Sequence, residues 1–90
     1  SYEEIIENID IGGPSMLRAA AKNYKRMIVL YDSKDYSEIS EKLINNKVDL
    51  DTRKTLATKI FKITAEYDNK IFKSLFSFSN TIFSLLYNCK

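Results

Sequence analysis

The feature that most constrains this 90-residue chain is its longest continuously apolar run, Met27 to Tyr31, with Ile28 and Val29 at its centre. Closed by Asp32 and Ser33, such a run is the pattern of a strand buried on both faces of a parallel sheet. Its surroundings read as helix, and one strand flanked by helices leaves backbone donors and acceptors unpaired along both edges. The other candidate strand is Thr81 to Tyr87, and a lone pair of strands is marginal in water. The expectation is an α/β chain, mostly helical with one clear strand near 27–31, that forms part of a larger parallel-sheet domain.

The helices follow from periodicity and from the scarcity of breakers, with only 2 Gly and 1 Pro in the chain. Tyr2 to Asn8 sets Ile5 and Ile6 among Glu3, Glu4 and Glu7, which suits the end of an amphipathic helix on an apolar support. Gly12 and Gly13 break it, and Pro14 is placed as the first residue of the next helix, where its missing N–H costs nothing. Asn23 is a candidate left-handed stop. From Tyr36 to Asn45 the residues Tyr36, Ile39 and Leu43 share one face. After a polar turn through Asn46 and Lys47, Asp49 or Asp51 can cap a longer helix with a buried stripe of Leu56, Ile60, Ile63, Tyr67 and Ile71, running to about Leu75. Phe76 to Lys90 shows neither a helical nor a strand period.

Composition removes several function classes. Fourteen Lys and Arg against 12 Asp and Glu leave a formal charge of +2 spread along the chain, too little to mark a nucleic-acid or anionic-membrane surface. With no His and a single cysteine, Cys89, neither a Cys/His zinc site nor an internal disulfide can form, and no metal is expected. That cysteine usage suits a reducing, cytoplasmic setting. The N-terminal residues lack the basic and apolar regions of a signal peptide. The most apolar stretch, Ile71 to Tyr87, contains Lys73, Asn80 and several serines and falls short of a spanning helix.

Chemistry concentrates at Ile9 to Asn23, IDIGGPSMLRAAAKN. Paired glycines ahead of a helix let a backbone approach a ligand closely and offer N–H groups at the positive end of the helix dipole. The same glycines equally serve a tight turn between two helices. Asp10, between Ile9 and Ile11, is either a turn cap or a carboxylate held in a partly desolvated pocket. On the helix after Pro14, Ser15, Arg18 and Lys22 share one face and Leu17, Ala20, Ala21 and Tyr24 the other. The Lys22 Cα lies about 12 Å along the axis from Pro14, so Asp10 and Lys22 can share only a ligand that runs along the helix.

As a whole string, IENIDIGGPSMLRAAAKN at Ile6 to Asn23 closely resembles the bifunctional purine-biosynthesis enzymes that join AICAR transformylase to IMP cyclohydrolase. The likeness continues through DSKDY at Asp32 to Tyr36, TRKTLATKIF at Thr52 to Phe61 and TAEYDNKI at Thr64 to Ile71. The resemblance implies that residues 1–75 are the C-terminal part of the cyclohydrolase domain, of methylglyoxal-synthase-like α/β fold, and that residues 76–90 are a divergent tail, truncated or frame-shifted. It further implies closure of the second purine ring of formyl-AICAR to IMP, with Asp10 and Lys22 as catalytic residues and Ile11, Gly12 and Gly13 lining the nucleotide. No cofactor is implied for that step, and formyl-tetrahydrofolate would serve the transformylase domain, which would follow this chain. The parent enzyme is expected to be a homodimer whose partner is a purine ribonucleotide, with neither nucleic acid nor membrane involved.

Departures from the pattern accompany the match. The family's phosphate-binding segment, its Lys-Thr pair and its Asn-Tyr pair would all lie before Ser1, so the isolated chain is expected to be inactive. Ile63 stands where relatives carry His before the Thr-Ala pair. Two other readings stay open: a regulatory module of the same fold that binds a phosphate or nucleotide without chemistry, and a helical interaction domain.

Overall fold

The computed structural model describes residues 1–88, with side chains through residue 78. Its elements are α1 (Tyr2–Glu7), α2 (Gly12–Lys22), α3 (Ser33–Ile44) and α4 (Leu50–Asn88). They belong to two compact units, one of residues 11–64 and one of residues 1–10 with residues from 65 onward. Helix α4 contributes its first part to the former and the remainder to the latter.

The expected α/β class is overturned, since all regular structure among the described residues is helical and none is strand. Met27 to Tyr31 is an irregular connection between a turn and α3. A strand is stable only when its N–H and C=O groups find a ladder partner, and the described residues contain no second strand. The apolar run is instead used by helix packing. Val29, 8% exposed, joins Ala21, Ala57 and Ile60 in the core of the 11–64 unit, while Met27 and Tyr31 stay largely exposed. The second candidate strand, Thr81 to Tyr87, lies inside α4, which passes the expected stop at Leu75 and continues to Asn88. Cys89 lies outside the described residues.

In the 11–64 unit, α2 turns its small and apolar face inward, as its sequence pattern demands. Ala21 is buried, and Leu17, Ala20 and Tyr24 pack against the core. The small Ala20 and Ala21 side chains let α2 approach Ala57 and Ile60 of α4. Arg53 reinforces this packing, its Nη1 donating to the Lys25 carbonyl at 3.1 Å. On α3 the predicted apolar face is only partly used: Ile39 is buried, yet Tyr36 and Leu43 are exposed.

Local signals fix the helix ends. Asp32 caps α3, its carboxylate accepting from the Lys34 N–H. The end of α3 is a left-handed turn. Asn46 has φ 53, the Lys47 N–H donates to the Lys42 carbonyl at 2.7 Å and the Asn46 N–H to that of Leu43 at 3.1 Å. These are the two hydrogen bonds of a Schellman ending. Asp49 Oδ1 accepts from the Thr52 N–H at 2.8 Å at the start of α4, which settles the choice between Asp49 and Asp51. Asn23 ends α2 without the expected left-handed conformation, at φ −95, its N–H shared between the Ala19 and Ala20 carbonyls.

The other unit is simpler. A capping box between Ser1 and Glu4 starts α1, and a shallow groove beside it is lined by Ile5, Ile9, Tyr67 and Ile71 among others. No α1 residue is fully buried. No helix among the described residues is long and apolar enough to cross a membrane.

Candidate functional site

The glycine segment is built differently from its reading as a break. Gly12 and Gly13 are the first two residues of α2, Pro14 is the third, and Ile11 is the N-cap. Neither glycine has positive φ, so the turn does not need their conformational freedom. At Gly12 packing among the described residues does not require a glycine either, since an added Cβ would meet nothing within 4 Å. The space beside Gly12 is open. Ile11 provides no side-chain cap to the helix, and it is 71% exposed.

Asp10 is exposed, in place of the partly desolvated alternative. Its backbone N–H donates to the Tyr67 hydroxyl at 2.8 Å. This bond ties the segment ahead of the glycines to α4 across 57 positions of sequence. Tyr67 was legible in sequence only as a member of the buried stripe; its hydroxyl is what holds the Asp10 backbone.

Lys22 is the last residue of α2. Its neighbour Ala21 is 1% exposed and anchored in the core, so the backbone bearing the ammonium is fixed while the side chain remains in solvent. The predicted division of α2 holds, with Ser15, Arg18 and Lys22 all exposed on the face opposite the core. Lys22 borders a groove of about 300 Å³ together with Ala21, Tyr24, Lys54, Ala57, Thr58 and Phe61. Lys54, Ala57, Thr58 and Phe61 follow the i, i+3, i+4, i+7 spacing of one helix face. That spacing could have flagged them, but nothing in the sequence alone paired the face with Lys22.

Among the site residues expected from sequence, Ile11, Gly12, Gly13 and Lys22 fall in the 11–64 unit, whereas Asp10 falls in the other. Among the described residues no group of three or more His, Cys, Asp or Glu side chains is arranged to hold a metal ion.

The strongest electrostatic feature lies elsewhere in the 11–64 unit. Lys59 Nζ contacts Asp35 Oδ2 at 2.6 Å and approaches Asp32 Oδ2 at 4.0 Å. The hydrogen bond to Asp35 raises the Lys59 pKa above the ordinary lysine value, aided by the charges of Asp35, Asp32 and Glu38 and opposed by partial burial. This pair fastens α3 to α4. It borders an open groove of about 630 Å³ whose wall includes Glu38, Lys42, Asp49 and Lys62. The hydrogen bonds from Thr52 hold the Asp49 carboxyl below its usual range. Each is accounted for by a helix contact or a helix cap.

Comparison with known proteins places these features in context. The model of the family described as AICARFT/IMPCHase bienzyme matches residues 20–88. The chain is 59% identical over 68 residues to the bifunctional purine biosynthesis protein PurH of Clostridioides difficile (strain 630), a match covering 76% of this chain and 13% of that protein. The PurH protein of Clostridium botulinum (strain Hall / ATCC 3502 / NCTC 13319 / Type A) is 54% identical over 69 residues, covering 76% of this chain and 14% of the relative. That of Buchnera aphidicola subsp. Schizaphis graminum (strain Sg) is 55% identical over 68 residues, covering 76% and 13%. The chain thus spans only 13–14% of the length of these curated relatives. No solved structure matches it.

Proposed function

Because the chain belongs to the AICARFT/IMPCHase bienzyme family, we propose that it contributes one wall of the nucleotide site at which formyl-AICAR is cyclised to IMP. The observation that carries this reading is the family match over residues 20–88, which begins within the AAAKN segment that bears Lys22. Since the chain spans 13–14% of its relatives, we assign it a share of the site rather than turnover on its own. Residues 1–75 are the part we assign to the cyclohydrolase. Formyl-tetrahydrofolate would be the cosubstrate of the transformylase activity, to which we assign no residue of this chain.

In the proposed reaction the carboxamide nitrogen of formyl-AICAR attacks the formyl carbon. A C–N bond forms and the formyl C–O bond breaks; the carboxamide nitrogen gives up one of its two protons and the formamide nitrogen gives up its own, and both leave with the former formyl oxygen as water. An amide nitrogen is a weak nucleophile, so a base beside it and a cation or acid beside the formyl oxygen both lower the barrier. We assign the first role to Asp10 and the second to Lys22, with Ile11, Gly12 and Gly13 along the nucleotide. Open space at Gly12 supports close approach of a ligand to the start of α2, and the solvent-facing Lys22 on a core-anchored backbone supports a positioned cation.

The test is the pH–rate profile of cyclisation by Asp10→Asn and Lys22→Met in a complete enzyme. Each substitution is expected to lower kcat by at least about 100-fold, the range of a single general acid or base. Turnover at the unsubstituted rate in either variant overturns the assignment of that residue.

A further inference from the structure

We infer that Tyr67 is a positioning residue for the cyclisation, its hydroxyl fixing the stretch of backbone from which the Asp10 carboxylate acts. The inference deepens the reading above and rests on it for the role of Asp10. Its basis is one hydrogen bond. The Asp10 N–H donates to the Tyr67 hydroxyl oxygen at 2.8 Å, towards the short end of the N–H···O range.

The place of that bond in the chain gives it a consequence. Ile9, Asp10 and Ile11 have no regular structure between the end of α1 at Glu7 and the start of α2 at Gly12. Groups on either side are secured by the helices. The Ile9 N–H donates to the Ile6 carbonyl at 3.3 Å, and the Ile11 carbonyl accepts from the Ser15 N–H at 3.1 Å. The Asp10 N–H takes part in neither ladder, and its acceptor comes from α4, 57 positions away. Without that acceptor the donor would turn towards water or another partner, and the backbone at Asp10 would move with it.

Such movement matters more for an aspartate than for a lysine. The carboxyl carbon of aspartate is only two bonds from its Cα, so the carboxylate follows the backbone, whereas the flexible stem of a lysine can compensate. A general base works within about 2.6–3.2 Å of the proton it takes, and a misplacement of about 1 Å can cost about 100-fold in rate. Tyr67 is suited to hold that position. It is half-buried and lines the shallow groove together with Ile5, Ile9 and Ile71, so its hydroxyl is carried on a rigid, partly packed ring. Asp10 is exposed, and the bond therefore holds the residue at a surface that a ligand can reach.

A bond that only stapled this segment to α4 would look the same, but the two roles differ in a double-mutant cycle. Cyclisation is assayed in a complete enzyme with Tyr67→Phe, Asp10→Asn and both together. Tyr67→Phe keeps the ring and removes the acceptor. Alone, it is expected to lower kcat about tenfold and to change KM by less than about twofold. Combined with Asp10→Asn it should lower kcat by less than about twofold further, since no carboxylate is left to position. Its pH–rate profile should fall in height and keep its shape, because the base itself remains. Amide hydrogen exchange at Asp10 in the 90-residue chain reads the bond directly and should be about tenfold faster in Tyr67→Phe. Equal losses in both backgrounds, a profile of altered shape, or unchanged exchange at Asp10 overturns the inference. Unchanged turnover in Tyr67→Phe where Asp10→Asn is impaired removes the positioning role and keeps the proposed function, whereas unchanged turnover in Asp10→Asn removes the role of Asp10 and both readings with it.

Discussion

Ile60→Ala is the substitution that most directly tests how the 11–64 unit is held together. Ile60 is 1% exposed, the largest fully buried side chain among the described residues, and it shares its core with Ala21, Val29 and Ala57. Truncation removes three carbon atoms, worth about 2.4 kcal/mol of transfer free energy at ~0.8 kcal/mol each. Ile60's buried neighbours Ala21 and Ala57 are small and anchored on helices, so they do little to fill the space, and the residual cavity adds about 1 kcal/mol. A loss of about 3 kcal/mol is a large fraction of the roughly 5–14 kcal/mol that a chain of this length has in total. The expected signature is a urea midpoint shifted sharply down with unchanged slope, and a melting temperature lower by about 10–25 °C, followed by far-ultraviolet circular dichroism. Ile44→Ala, at a residue 85% exposed, makes the same chemical change outside the core and should move stability by less than about 0.5 kcal/mol. A loss below about 1 kcal/mol for Ile60→Ala, or equal losses at both positions, would refute the assignment of the core.

Two further predictions concern the helix ends. Asp49 has a depressed pKa because Thr52 hydrogen-bonds its carboxylate, so its stabilising contribution is present at neutral pH and is lost as pH falls below the ordinary carboxylate range, about pH 4. Asp49→Asn keeps an acceptor but cannot titrate; thermal melts of this variant should lose less stability than the unsubstituted chain on going from about pH 5 to pH 3, and parallel losses would show that the cap does not sense protonation. At Asn46, φ 53 favours glycine, so Asn46→Gly should leave stability level or slightly raised while Asn46→Ala lowers it by about 1 kcal/mol. Denaturant titrations giving Ala and Gly the same stability would argue against the left-handed turn.

The caps at the helix starts and the helix faces were legible in the sequence because they rest on local chemistry, whereas the left-handed stop expected at Asn23 is found at Asn46. Asp49 reads as a cap since its carboxylate can reach the N–H three residues on, and it does so. The stripe from Leu56 to Ile71 reads as a helix face from its period alone, and its five members are all buried or half-buried. Met27 to Tyr31 shows where local reasoning stops. A short apolar run is compatible with a strand or with an irregular segment pressed onto helices, and the outcome depends on whether a partner backbone exists. The sequence pattern registers apolarity without registering the partner, and among the described residues Val29 is buried by helices. The glycine pair failed for a related reason. Gly followed by Pro resembles a break, yet two glycines at negative φ are ordinary members of a first helical turn.

What supports the candidate residues is not legible in their motif, because they are positioned by contacts remote in sequence. Asp10 is held through its own backbone by the Tyr67 hydroxyl, and Lys22 through Ala21 by a core that includes Ala57 and Ile60. Both sets of supports lie on α4, but in different units, so one helix serves each candidate residue by separate contacts. If Asp10 and Lys22 act as proposed, substitutions on α4 should divide by position: removal of the Tyr67 hydroxyl bears on the Asp10 segment, and truncation at Ile60 bears on the backbone carrying Lys22. A motif confined to residues 9–23 carries neither dependency, which is why the sequence could nominate the two charged groups and still leave unstated what holds them.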